Sequence, residues 1–269
     1  MFAKINHIAS ISENYAVAGK FYEAIFGMRT SANTRAARAV TVGDGYVGYN
    51  INPRKAGRPA RLDHFGIQIE DIDTVFDRLR RNYPMVEWLK RPSTRPFAGI
   101  TTHDPDGNVF DLSQKTMTNR QGLYAETHSL NPRYIDHFGL RTLNPEAMAR
   151  FYCEVFELEQ RNRAEGDPNY YVTDGHITIV LMPWHITDFA GTGIVSPAMD
   201  HMGFTVESLA AFQADFDKIT SENAQLIPYP VGSGAEGQAR LELSKRSCPL
   251  CQHHLADIDG ILLSVAEAA

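Results

Sequence analysis

The sequence predicts an α+β fold built from four βαβββ modules, grouped as two halves of two modules each. Three observations carry this. The chain is self-similar at a fixed offset: "INHIASISENYAVAGKFYEAIFGMRT" from Ile5 matches "IDHFGLRTLNPEAMARFYCEVFELEQ" from Ile135, every pair 130 positions apart. His7 falls on His137, Phe21-Tyr22 on Phe151-Tyr152, and Asp44-Gly45 on Asp174-Gly175. Such a repeat outranks any single motif. A shorter recurrence lies inside it: "LDHFGIQIEDIDTVFDRLR" from Leu62 and "MDHMGFTVESLAAFQADFDKI" from Met199 also open on a His-bearing apolar strand and run into an amphipathic helix. Finally, Asp-Gly pairs recur at 44–45, 106–107, 174–175 and 259–260. Between extended segments such a pair marks a hairpin, because Gly accepts positive φ.

The modules start near residues 5, 62, 134 and 199. Each opens on a strand carrying one histidine: His7, His64, His137 or His201. In the third, Ala147, Phe151, Val155 and Leu158 mark one apolar helix face over 144–157. Asn144-Pro145 supplies a cap followed by Pro in the first turn. The polar, aperiodic stretch "KTMTNRQGLYAETHSLNPR" separates the halves, giving domains 1–116 and 134–269 with a linker at 117–133. The fourth module is longer than the second: 58 residues separate His201 from Asp259, against 42 from His64 to Asp106. The extra chain contains "YPVGSGAEGQAR", read as a flexible loop over the site.

The 269 residues are 43% hydrophobic, enough for a sizeable core, and the net charge of -6 argues against a nucleic-acid partner. Three cysteines make no disulfide framework, which fits a reducing, cytoplasmic setting. The start "MFAKINHIAS" has no run of signal-peptide length, and no stretch is apolar enough for a membrane span. No P-loop pattern appears.

The four His strands, the "FYEAIFG" and "FYCEVFE" helices and "HDPDGNVFDLSQ" at 103–114 together resemble the vicinal oxygen chelate superfamily. It includes glyoxalase I, type I extradiol dioxygenases and bleomycin-resistance proteins. The resemblance implies that two modules form a cup-shaped open barrel of the glyoxalase/bleomycin-resistance type. It also implies a divalent cation held by first-strand histidines and a last-strand carboxylate, with Fe(II) as the leading candidate and Mn, Zn or Ni as others. The carboxylate positions fall on Tyr49, Asp111, Ile179 and Ser264, of which only Asp111 is an anion. The implied ligands are therefore His64 and Asp111 with His7, if the halves fold independently, or with His137, if modules exchange. Two imidazoles and a carboxylate leave coordination positions open, as Fe(II) oxygenases require.

The C-terminal cup keeps His137 and His201 but has Ser264 at the carboxylate place. The resemblance puts a base at His176 and a substrate-binding group at His254, so four imidazoles are expected to converge there, and a three-histidine site using His254 is conceivable. Plainer readings stand beside these. A strand histidine can be a hydrogen-bonded core residue, and Asp111 can pair with Arg95 or Lys115. "CPLCQHH" at 248–254 aligns with the approach to the last hairpin. On a strand, side chains three apart face opposite ways. Cys248 and Cys251 are accordingly read as packing residues, and His254 as the residue facing the cup.

The expected function is a metalloenzyme acting on a small oxygenated, catecholic substrate by extradiol ring cleavage. A glyoxalase-like isomerase or lyase and a metal-free binding protein of the bleomycin-resistance type are the alternatives. The expected partner is a small-molecule substrate, without nucleic acid or membrane, and a homodimer is left open.

Overall fold

The computed structural model describes residues 1–30, 39–92, 98–117 and 131–268. Apart from its ends, the expected linker lies outside them, as does Arg95. The first module comprises β1 (Ala3–Ser12), α1 (Tyr15–Phe26), β2 (Arg29–Thr30), β3 (Val40–Gly43) and β4 (Gly48–Pro53). The second comprises β5 (Arg61–Ile69), α2 (Ile72–Asn82), β6 (Trp88–Lys90), β7 (Ile100–His103) and β8 (Val109–Gln114). The third repeats the plan with β9 (Tyr134–Thr142), α3 (Pro145–Phe156), β10 (Glu159–Gln160), β11 (Tyr170–Thr173) and β12 (Thr178–Pro183). A short helix, α4 (Ile186–Thr192), leads to the fourth module: β13 (Ala198–Val206), α5 (Leu209–Glu222), α6 (Gly234–Ser247), β14 (His253–Ala256) and β15 (Leu262–Glu267).

The strands form two open sheets. One has eight strands in the order β2-β3-β4-β1-β5-β8-β7-β6, all from the first two modules. The other has seven, β10-β11-β12-β9-β13-β15-β14, from the last two. Modules therefore pair within a half: β1 lies antiparallel to β5, and β9 to β13. That settles the alternative of exchange between halves, and His137 does not join His64. Among the described residues, no helix is long and apolar enough to cross a membrane.

Caps explain where the helices begin and end. Asn14 and Asn144 accept from the amides of Val17 and Ala147, and Gly27 closes α1 at φ 65°. At each Asp-Gly turn the glycine has positive φ. Side-chain parity then separates two faces of each sheet. Phe65, Ile67, Phe110 and Leu112 are buried in the core, while the alternating His64 and Asp111 face the other way and are partly exposed. The core runs across both halves: Phe26 of α1 stacks on Phe204 of β13 at 3.8 Å, and Phe65 of β5 meets Phe138 of β9 at 4.9 Å.

The fourth module departs from its siblings. Where they have a short strand after the helix, it has α6, so residues 234–247 are helical rather than a flexible loop. The sequence reading missed this because α6 has no apolar stripe; only Leu243 and Ser244 of its residues are buried. Ion pairs hold it instead. Arg240 reaches Asp200 Oδ1 at 2.5 Å and Ser244 Oγ at 2.7 Å, and buried Arg141 reaches the same Asp200 at 2.6 Å.

Candidate metal centres

All four strand histidines sit beside a β-bulge. In the β1–β5 pairing one extra residue intrudes between Ile5 and His7, and another between Ala9's partner and Ser10's. The intruders are Asn6 and Asp63. In β9–β13 they are Asp136 and one residue of the pair Asp200-His201, which together oppose Gly139. A bulge lets neighbouring side chains share a face, which a regular strand forbids. Each histidine can then donate Nδ1–H to the residue before it: His7 to Asn6 at 2.7 Å, and His64, His137 and His201 to Asp63, Asp136 and Asp200 at 2.9 Å. This fixes the tautomer and turns Nε2 toward the cup, the arrangement that orients ligating imidazoles. Asn/Asp-His is written four times in the sequence, once at the start of each module.

Glycines make room for the rings. A Cβ on Gly66 would lie 2.0 Å from His7 Cε1, one on Gly203 1.9 Å from His137 Cε1, and one on Gly139 2.5 Å from His201 Cε1.

The N-terminal cup brings together His7, His64 and Asp111, with one donor atom from each inside a 4.8 Å set. His64 Nε2 is 3.4 Å from Asp111 Oδ2, and Thr101 donates to Asp111 Oδ1 at 2.6 Å. Lys115 pairs instead with Glu70. Burial opposes the charge on His64, but hydrogen bonds to Asp111 and Asp63 overcome it and push its pKa up to about 9. The register also corrects the alignment of last strands. Asp111 lies opposite Gly66 and Ser264 opposite Gly203, each two residues past its histidine; the same rule picks Asn50 opposite Ala9 and Val180 opposite Gly139. Tyr49 and Ile179 are core residues instead, because the first and third hairpins are tighter: Asp44 bonds to Val47 and Asp174 to Ile177, against Asp104 to Asn108 and Asp257 to Ile261.

The C-terminal cup brings together His137, His201 and, against expectation, Cys248. Cys248 is no strand residue. It is the C-cap of α6, and α6 delivers its Sγ to 3.2 Å from His201 Nε2 and 3.8 Å from His137 Nε2. Ser264 Oγ stands 2.9 Å from His137 Nε2. Burial alone would raise the Cys248 thiol, but His201 and His137 outweigh it and bring its pKa down to about 5. Burial likewise opposes charge on His137, which Asp136 and then Cys248 overcome, pushing it up to about 10. Cys251 is elsewhere, its Sγ 3.4 Å from His254 Nδ1.

The expected convergence of four imidazoles does not occur. His176 is exposed at its turn, with its ring stacked on Tyr46 at 4.1 Å. Tyr46 is the residue 130 positions earlier, so the two halves meet here through equivalent side chains. His254 lies directly across from Ser264, on the same face of the sheet. Burial, with the charge of His201, brings it down to about 4, a neutral imidazole.

The model of the Glyoxalase/Bleomycin resistance protein/Dioxygenase superfamily matches residues 4–112 and 134–249. The chain belongs to this superfamily. Solved structures share the fold over nearly the whole chain at low identity. The Mn(II)-bound glyoxalase from Novosphingobium aromaticivorans has a TM-score of 0.66 at 13% identity, covering 99% of this chain and 82% of that one. A catechol 2,3-dioxygenase gives 0.62 at 10%, covering 100% and 88%. Homoprotocatechuate 2,3-dioxygenase from Arthrobacter globiformis gives 0.61 at 14%, covering 99% and 80%. No curated protein matches the sequence.

Proposed function

We propose that this superfamily member is a metal-dependent enzyme, that its working site is the N-terminal cup, and that its substrate is a small molecule with two neighbouring oxygens. The observation that carries the reading is the set His7, His64 and Asp111 on one face of one sheet. The residues fit a divalent cation. Adjoining ligands at ~2.1 Å from a cation stand ~3.0 Å apart in octahedral and ~3.4 Å in tetrahedral geometry, and His64 and Asp111 are 3.4 Å apart. His64 and Asp111 are partly exposed, so a substrate can approach them. A divalent cation there supplies Lewis-acid polarisation and, if it is iron(II), redox chemistry with dioxygen.

The chain's own groups prepare the site. Asn6 and Asp63 lock the imidazoles, and Thr101 ties down one oxygen of Asp111, leaving the other toward His64. Asn50 brings a neutral carboxamide to the matching place on β4, so this cup has a single carboxylate at its two last-strand positions. Within this frame the reaction class we assign is extradiol cleavage of a catecholic ring, supported by the one-carboxylate donor set. A second reading, a glyoxalase-like isomerase or lyase that consumes no oxygen, is favoured by the seat of His176 on Tyr46, since that imidazole belongs to neither donor set.

The test is metal content together with oxygen uptake. The protein, purified without chelator, is expected to carry metal at the N-terminal cup and to consume oxygen with a catechol from a small panel. Asp111→Ala is expected to lose that metal and to lower the rate by more than the ~10–100-fold that loss of a ligand's supporting partner costs. Turnover of hemithioacetals without oxygen would establish the second reading. A chain that takes up no metal under any loading condition would overturn both in favour of a ligand-binding cup.

A further inference from the structure

We infer that the C-terminal cup is a second and chemically different metal centre: a closed site for a thiophilic divalent cation of the zinc class, held by His137, His201 and Cys248. The argument is independent of the working site above.

Geometry comes first. A zinc-like cation places thiolate sulfur at ~2.3 Å and imidazole nitrogen at ~2.0–2.1 Å, so tetrahedral sulfur and nitrogen ligands stand ~3.6 Å apart. Cys248 Sγ lies 3.2 Å and 3.8 Å from the two Nε2 atoms, one on either side of that value. Both imidazoles already give their other nitrogen to a carboxylate, Asp136 or Asp200. Ser264 Oγ, 2.9 Å from His137 Nε2, adds an oxygen beside the set.

The donor set comes next. Ser264 stands where the second module has Asp111, and the missing anion is replaced by a thiolate from the chain inserted into the fourth module. Two nitrogens and an oxygen suit iron or manganese; two nitrogens and a sulfur suit zinc. Two cups of one fold would then sort two metals.

Closure is the third point. His137, His201 and Cys248 are 1%, 4% and 3% exposed, so the three donors are shut away from solvent. The α6 helix is clamped over the cup: Arg240 and Arg141 hold Asp200, Arg141 also reaches Ser247 Oγ at 3.3 Å, and Asn169 donates to the Ser247 carbonyl at 2.9 Å. A cation bound to Cys248 would staple the end of α6 to β9 and β13.

The experiment loads the full chain with zinc or cobalt(II) and counts metal per chain. The wild type is expected to hold one equivalent that Asp111→Ala retains and Cys248→Ser loses. In the cobalt form a thiolate-to-cobalt charge-transfer band should appear in the near ultraviolet, vanish in Cys248→Ser and persist in Asp111→Ala and Cys251→Ser. Equal zinc content in wild type and Cys248→Ser, or no thiolate band, overturns the inference. Iodoacetamide labelling of the wild-type chain, mapped by mass spectrometry, gives an answer free of any folding defect in the variant. Zinc should protect Cys248 and leave Cys153 and Cys251 unchanged, whereas labelling of Cys248 that zinc does not slow overturns the inference. Since Asp111→Ala and Cys248→Ser report on different cups, this inference and the proposed activity fail separately.

Discussion

Gly66 and Gly203 are defined by what stands opposite them. Each faces the imidazole of the neighbouring strand so closely that a methyl group would overlap Cε1, at 2.0 and 1.9 Å. Overpacking of this kind costs ~1–3 kcal/mol, and ~2–4 °C of Tm per kcal/mol in a chain of this size. Gly66→Ala is therefore expected to lower Tm by several degrees and to strip metal from the N-terminal cup alone. Gly203→Ala should do the same in the C-terminal cup, with calorimetry and metal analysis as the readouts. The histidines themselves were legible, because four of them recur at one place in the module. Their partners were not. Asn6, Asp63, Asp136 and Asp200 adjoin the histidines in sequence, and adjacent residues on an unbroken strand face apart; only the bulges, set by pairing with a second strand, bring them round. His176 was expected to open the strand after Asp174-Gly175 and to serve as a base, but it lies in the turn, with its ring stacked on Tyr46 of the other half.

At the scale of an element, α6 shows where periodicity stops being informative. Its sequence "GAEGQARLELSKRS" lacks an apolar face, and the extra length of the fourth module revealed an insertion but not a helix. What fixes it is Asp200, whose carboxyl is buried yet held well below the usual range because Arg240, Arg141 and His201 outweigh the cost of burial. Arg141 is 2% exposed and Arg240 16% by side chain. Removing one member of a buried ion pair costs ~3–5 kcal/mol, since its partner is left charged and unpaired. Arg141→Leu should lose about that much by urea unfolding, and amide exchange should quicken in α6 before the rest of the sheet. Arg240→Leu, nearer to solvent, should cost less. Cys248 was misread for the same reason: its place follows from where the clamp ends the helix, not from the hairpin register.

Across the whole molecule, four turn aspartates join the halves in a twofold pattern. Asp44 accepts from the Ile135 amide at 2.9 Å and Asp174 from the Ile5 amide at 2.7 Å. Tyr22 donates to Asp257 at 2.9 Å and Tyr152 to Asp104 at 3.0 Å. The 130-residue offset made the four modules and their turns legible; that these turns also bind the opposite half was not, since no local pattern encodes a partner so distant in sequence. Burial raises the carboxyls of Asp44, Asp104 and Asp257, the last to about 6 from 3.8. The folded chain therefore keeps a proton that the unfolded chain releases. Its contribution to stability is full below the unfolded value and is lost as pH rises through about 6. Urea midpoints should accordingly fall between about pH 4 and about pH 7, and Asp257→Asn should flatten the fall by on the order of 3 kcal/mol.

The same pattern makes either half the mould of the other. Asp44 and Asp174, Ile5 and Ile135, Tyr22 and Tyr152, Asp104 and Asp257 occupy matching stations, so the surface joining the halves is close to self-complementary. A change at the seam must suit two places at once. A change inside one cup answers to that cup alone, and this is the freedom through which Asp111 in one half and the pairing of Ser264 with Cys248 in the other could drift apart while the frame around them stayed a matched pair.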